Sequence, residues 1–226
     1  MRQIENFIAG EFVGAASGKR FDKRSPVDNS VICSISEAGR GEVDAAVSAA
    51  RNALQGEWGG LTTDQRIELL YGVANEITRR FDDFVEAEMS DTGQPEHVMK
   101  HVFIPRGAAN FKVFADVIKN VASESFQMDT PDGRGAFNYS IRRPKGVIGV
   151  VCPWNAPFML MTWKVGPALA CGNTVVVKPS EESPQTAALL GEVMSAVGIP
   201  KGVYNVVNGF GPNSAGERSE ERRVGK

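Results

Sequence analysis

Two short polar clusters interrupt the most apolar part of the chain. One is Cys152-Pro153-Trp154-Asn155, within VCPWNAPF, and the other is Lys178-Pro179-Ser180-Glu181, within TVVVKPSE. The side-chain amide of Asn155, stiffened by Pro153 and Pro157, is placed to donate to an oxygen that develops negative charge. It could also cap the helix that follows, as Asn commonly does, and the two uses engage different atoms. Lys178 and Glu181, at the end of a strand, suit the two hydroxyls of a ribose. A carboxylate there would repel a 2′-phosphate, which favours NAD over NADP. The competing reading is an ordinary surface Lys–Glu pair. Lys164 is the lone charge in MLMTWKVGPALA. A buried Lys would have a lowered pKa and could relay protons. Alternatively it snorkels, with its ammonium in water.

These residues need a frame that brings them to one edge. VIGVV, TVVVK and GVYNVV read as buried strands. PFMLMTWKVGPALACG and SPQTAALLGEVMSAVG, between them, read as buried helices, each ending at a Gly. The order β-α-β-α-β with nearly continuous apolar strands predicts a parallel, doubly wound sheet, whose ligands bind at the carboxyl ends of the strands. Both polar clusters fall at such ends. VYNVV, as the last strand, is expected to form an open edge.

Upstream, FIAGEFVG and KRFDKRSPVDNSVICSISEA alternate and predict a hairpin or small meander. Helical periodicity begins at GRGEVDAAVSAARNALQG. It continues as one helix from a Thr62 or Thr63 cap to Gly93 and Pro95, then as another from about Glu96 to Val121. MDTPDGRGAF is a turn-rich break before two strands joined by a Pro-Lys-Gly corner.

Weaker candidates remain. Gly209 and Gly211 in NGFGPNSAG permit a close turn after a strand, and a helix starting near Asn213 would offer N–H groups to phosphate. The stretch lacks the full G-x-G-x-x-G spacing and could be a plain turn. His97 and His101 lie i, i+4, but no third metal ligand is evident. Cys33, Cys152 and Cys171 are too few and scattered for a disulfide framework, and Cys152 and Cys171 read as structural. The net charge of −2 gives no reason to expect nucleic acid or membrane surface as partner. The apolar run Ala156–Cys171 is too short to span a bilayer. The expectation is a cytoplasmic, enzyme-like chain.

FIAGEFV, GVIGVVCPWNAPF, WKVGPALACGNTVVVKPSEESPQTA and GVYNVVNGFG together resemble the amino-terminal part of the aldehyde dehydrogenase superfamily. TPDGRGAFNYSIRRPKGVIGVVCPWN and IPRGAANFKVFADVIKN are most similar to its 2-hydroxymuconate semialdehyde dehydrogenases, with 2-aminomuconate relatives as neighbours. The resemblance implies NAD as cofactor and oxidation of a semialdehyde in aromatic-compound degradation. It implies a homo-oligomer, dimer or tetramer. It casts Asn155 as the oxyanion amide and Lys164 as part of a proton relay. Cys152, Pro153 and Trp154 would line the cofactor site through backbone, Lys178, Ser180 and Glu181 would hold the adenosine ribose side, and Gly211 would approach the adenine. Arg106 would meet a substrate carboxylate, for which its bidentate fork is suited.

The resemblance also implies a layout: residues 1–124 and 146–217 as a partial NAD-binding domain, and 125–145 as a bridging segment for oligomer contacts. Residues 218–226, RSEERRVGK, are charged, lack apolar periodicity and match what a sequencing-adapter read would encode, so they read as an artefactual tail. In the family, the nucleophilic Cys and general-base Glu lie beyond residue 217, so the expectation is an inactive fragment of the dehydrogenase. The rival reading is a short nucleotide-binding or regulatory protein without catalysis.

Overall fold

The computed structural model describes residues 2–211 and 215. The chain opens with β1 (Arg2–Ile4), β2 (Asn6–Ile8) and β3 (Glu11–Val13). Ala9 and Gly10 both take left-handed backbone, φ 53° and 81°, the geometry that lets a two-residue turn join β2 and β3 as a hairpin. Next come β4 (Arg20–Arg24) and β5 (Val31–Ser36), an antiparallel pair to which β1 adds in parallel. The expected hairpin or small meander is therefore two units in two sheets, because β2 and β3 leave their neighbours to join the main sheet.

Helices follow: α1 (Arg40–Gln55), α2 (Glu57–Gly60), α3 (Thr63–Arg79) and α4 (Phe81–Thr92). Thr62 caps α3 in a reciprocal box with Gln65. The continuous helix expected from Thr62 to Gly93 breaks at Arg80, φ −97° and ψ 27°. Arg80 there bonds Asp83 and also reaches Glu192, each at 2.8 Å, and the break lets α4 pack on the last helix. Then come α5 (Glu96–Val98), a π-helical turn at Met99–Phe103, and α6 (Ile104–Lys119). The wide turn precedes Pro105, which lacks an N–H and whose ring would crowd a regular preceding turn.

β6 (Ser125–Met128) and β7 (Ala136–Tyr139) pair only with each other among the described residues and expose Phe126, Met128, Phe137 and Tyr139. The chain ends with β8 (Val147–Val151), α7 (Pro157–Ala170), β9 (Thr174–Lys178), α8 (Gln185–Val197) and β10 (Tyr204–Val206).

The main sheet has five strands in the order β3-β2-β10-β9-β8. β8, β9 and β10 run parallel, as the helical crossovers require. β10 is not the open edge: it lies between β9 and β2, paired antiparallel with β2 through Val206 and Phe7. The outer parallel strand is β8, and its Val151 is 56% exposed.

Alternation along β9 divides the core. Val175 and Val177 face α7 and α8, whose Phe158, Met161, Leu169 and Leu190 are buried with them. Val176 faces the opposite way, onto Val43, Ala46 and Ala50 of α1. The result is a three-layer α/β unit with helices on both faces, the expected partial doubly wound sheet. Among the described residues no helix is long and apolar enough to cross a membrane.

Candidate functional site

β8, β9 and β10 end side by side, so one sheet edge carries the segments after Val151, Lys178 and Val206. The ladder extends into these segments: Cys152 N–H donates to Lys178 O at 3.0 Å, and Val207 N–H to Val177 O at 2.9 Å. The two polar clusters foreseen from sequence are thus fixed to each other by backbone pairing.

At the end of β9, Lys178 is mostly buried, and its Nζ donates to Pro179 O at 2.9 Å. It lies 3.5 Å from Glu181 Oε2, a long contact that leaves the carboxylate largely free to accept hydroxyls. Ser180 is buried, and its Oγ accepts from Glu182 N–H, so it shapes the turn. The pair could hold the two hydroxyls of a ribose.

After β10, Asn208 N–H donates to Asn6 Oδ1 at 2.8 Å, anchoring the strand exit to the amino-terminal segment. Gly211 is exposed, and a Cβ there would touch nothing within 4 Å, so no crowding by the described residues demands a glycine. The helix start expected near Asn213, and residues 218–226, lie outside the described residues.

After β8, Cys152 is buried, while Trp154 and Asn155 are exposed on the turn leading into α7. The N-cap position of α7 is Ala156, not Asn155. The Asn155 carbonyl accepts from Gln94 Nε2 at 2.7 Å, which fixes the turn through its backbone. Lys164 is exposed rather than buried, so the premise of a desolvated lysine does not hold. Its Nζ donates to Val151 O at 2.6 Å, a carbonyl at the end of the outer strand, one residue before the site turn.

Arg106 is exposed on α6, its guanidinium carbon 5.9 Å from the ring centroid of Trp163 on α7. Gly107 beside it lies against Phe158, where a Cβ would come within 2.3 Å of the ring. Arg106 therefore shares a flank with α7 and its Lys164, whereas Lys178, Ser180 and Glu181 line the neighbouring strand end.

α4 supplies what sequence reading missed. Glu88 and Asp91 are fully and almost fully buried, at 0% and 4% exposure. Glu88 Oε1 accepts from Phe158 N–H at 3.1 Å, in the first turn of α7. Asp91 accepts from Gln185 N–H at 2.9 Å and Gln185 Nε2 at 2.8 Å, at the first residue of α8. Burial raises Glu88 to about 8 and Asp91 to about 7. One signal was available: two carboxylates in the last turns of a helix oppose its dipole unless partners elsewhere hold them.

The thiols stand apart from this chemistry. Burial pushes Cys33 and Cys152 up to about 12, so neither is a ready thiolate. Cys171 is exposed, but it follows α7 at the amino end of β9, the opposite edge of the sheet. His97 and His101 are exposed, and no His, Cys, Asp and Glu cluster among the described residues could hold a metal ion.

Comparison with known proteins matches residues 12–226 to the model of the aldehyde dehydrogenase family. The chain belongs to that family. It is 65% identical over 216 residues to a 2-hydroxymuconic semialdehyde dehydrogenase of Pseudomonas sp. (strain CF600), with 96% of this chain and 44% of that protein covered. To a 2-aminomuconic 6-semialdehyde dehydrogenase of Pseudomonas sp. it is 55% identical, with 96% and 44% covered. Among solved structures, the NAD+ complex of an aldehyde dehydrogenase from Bacillus cereus superposes with a TM-score of 0.89 at 35% identity, covering 94% of this chain and 43% of that one. The chain thus spans about 44% of the length of the curated relatives it matches.

Proposed function

We propose that this chain carries the cofactor edge and oxyanion donor of an NAD-dependent dehydrogenase that oxidises 2-hydroxymuconate semialdehyde, or a closely similar carboxylated semialdehyde, to its acid. One observation carries the reading: the backbone bond from Cys152 to Lys178 sets an Asn-bearing turn beside a Lys–Glu pair at the carboxyl edge of a parallel sheet. The 65% identity to a dehydrogenase of that substrate supports it and disfavours a non-catalytic nucleotide-binding protein.

NAD, when bound, supplies the hydride acceptor. Lys178 and Glu181 hold the adenosine ribose, Ser180 shapes their turn, and Cys152, Pro153 and Trp154 line the cofactor through backbone, with Gly211 at the adenine end. The carboxylate of Glu181 excludes a 2′-phosphate by repulsion. The Asn155 amide donates to the oxygen of the tetrahedral species, Lys164 takes part in proton transfer beside the Asn155 turn, and Arg106 holds the distal carboxylate of the substrate. The apolar face of β6 and β7 serves contacts between copies in a dimer or tetramer. Residues 125–145 form this bridging segment, with 1–124 and 146–217 making up the cofactor-binding unit. The protein works in the cytoplasm, consistent with three unpaired thiols.

The test is to follow NADH formation by the full-length protein with 2-hydroxymuconate semialdehyde, against NADP and against Glu181→Gln. Turnover with NAD in the wild type, and a gain in NADP use in the variant, is expected. Absence of turnover with any muconic semialdehyde overturns the assignment of substrate. An unchanged NAD-to-NADP ratio in Glu181→Gln overturns the role of the carboxylate.

A further inference from the structure

The two turns at the site belong to different βα units, yet both are held from below by one helix. α4 and the residue after its Gly93 cap present Glu88, Asp91 and Gln94 at successive three-residue steps, each with a different target. Glu88 Oε1 accepts the Phe158 N–H of α7. Asp91 takes both the backbone and the side-chain N–H of Gln185, where α8 begins. Gln94, just past the Gly93 cap, donates 2.7 Å to the carbonyl of Asn155.

Neither crossover helix has a side-chain cap of its own. The N-cap positions are Ala156 and Pro184, and neither makes a side-chain hydrogen bond. Free N–H groups in a first turn need a partner. Here the partners are remote carboxylates, so the placement of each helix start depends on α4. The Asp91 end is tied further, since Arg2 donates to Gln185 Oε1 at 3.1 Å and buried Lys23 reaches Glu182 at 3.2 Å.

We infer that Glu88, Asp91 and Gln94 are positioning residues through which α4 fixes the Asn155 turn and the Lys178–Glu181 turn in one relation, Glu88 and Gln94 acting on the first and Asp91 on the second. Glu88 and Asp91 stay buried beneath the edge, and Gln94 meets it only at the Asn155 backbone carbonyl. Each acts through another group. The inference rests on the proposed roles of Asn155 and Glu181.

The prediction is a split. In the full-length protein, Glu88→Ala lowers kcat about ten- to a hundred-fold, the scale expected when a catalytic group shifts by an ångström. Its affinity for NADH, read by cofactor fluorescence, stays near that of the wild type. Asp91→Ala weakens NADH binding about ten-fold with a smaller change in kcat at saturating cofactor, on the scale of losing a capping bond or two. Glu88→Gln, which keeps a carbonyl acceptor for Phe158, recovers most of the kcat lost in Glu88→Ala.

Amide hydrogen exchange gives a readout that needs no ligand. Glu88→Ala speeds exchange at Phe158 and not at Gln185, and Asp91→Ala does the reverse. Parallel losses of kcat and affinity in both variants, or exchange that quickens at both helix starts together, overturn the inference by showing only a common loss of packing. If Glu88→Ala does not fold, Gln94→Ala, which removes only the bond to the Asn155 carbonyl, still decides: it lowers kcat and leaves NADH affinity near that of the wild type, and an unchanged kcat or an equal loss of affinity overturns the inference. A wild type without semialdehyde turnover would sink the functional reading while leaving the exchange result to judge the role of α4.

Discussion

The Phe158 N–H of α7 is 3.1 Å from Oε1 of Glu88, a carboxyl group with no exposure to solvent. Burial is the largest influence on Glu88, raising it from 4.5 to about 8, while the Phe158 bond acts in the opposite sense. Asp91 is raised from 3.8 to about 7, again by burial, against its two bonds to Gln185 and the nearby charges of Lys23 and Arg2. The groups facing this pair are Thr186 on α8, Cys33 on β5, Lys23 on β4 and Arg2 on β1.

Both acids therefore keep protons in the folded state that the unfolded chain has already released. Their contribution to stability is complete below the unfolded values and is lost as pH rises through about 7 and about 8. Denaturant titrations of the full-length protein between about pH 5 and pH 9 should show stability falling toward the alkaline side. Glu88→Gln should flatten the upper part of that slope. A stability that rises over the range, or identical slopes for wild type and variant, would contradict the assignment.

Asn155→Ala separates chemistry from folding. Asn155 is not the N-cap of α7, and its structural bond is made by the backbone carbonyl, which an alanine retains. Its melting temperature should therefore match that of the wild type. Loss of one oxyanion donor costs about 3 kcal/mol, a fall of about a hundred-fold in kcat, with little change in KM for NAD. An unchanged kcat would leave the amide without a catalytic role.

The three thiols predict a null result that is easy to check. Cys33 and Cys152 are buried and pushed up to about 12, and Cys171 sits at the other edge of the sheet. None is poised to attack an aldehyde, since the thiolate is the nucleophile. The 226-residue chain by itself should form no NADH from NAD and semialdehyde. NADH production that disappears in Cys152→Ser or Cys171→Ser would show that one of them acts after all.

Much of this was legible because it is local. The strand–helix order from Val147 to Val206 follows from continuous apolar runs with Gly stops, and the polar residues at their ends lie along the candidate edge. The remainder depends on contacts distant in sequence. β10 looked like an edge because its partner β2 lies some 200 positions away and pairs antiparallel. Whether Lys164 is buried or snorkels stays open in the sequence because its helix is apolar nearly all round. Yet α7 lies beside the outer strand β8, and the lysine emerges where Val151 ends the strand with its carbonyl open. The roles of Glu88 and Asp91 depend on which helix starts happen to lie above α4, and no period in the sequence records that.

Arg106 offers the sharpest test of substrate. It stands exposed at the start of α6, its guanidinium carbon 5.9 Å from the Trp163 ring centroid, a contact that orients the cation without neutralising it. Gly107 locks that turn of α6 against Phe158, in the first turn of α7 just after the Asn155 turn. If the proposed semialdehyde binds with its aldehyde at Asn155, Arg106 is the candidate partner for its distal carboxylate. Arg106→Ala should then raise KM for the carboxylated semialdehyde and hardly alter turnover of hexanal. The loss of a charge-assisted hydrogen bond, about 1.5–3 kcal/mol, corresponds to about ten- to a hundred-fold in kcat/KM. Arg106→Lys should recover only part of it, because an ammonium lacks the planar fork. Trp163→Ala should give a smaller loss with the same selectivity, since the cation remains but is less well oriented. Equal effects on hexanal and on the semialdehyde would point to packing against α7 instead, and Arg106 would then be a surface arginine.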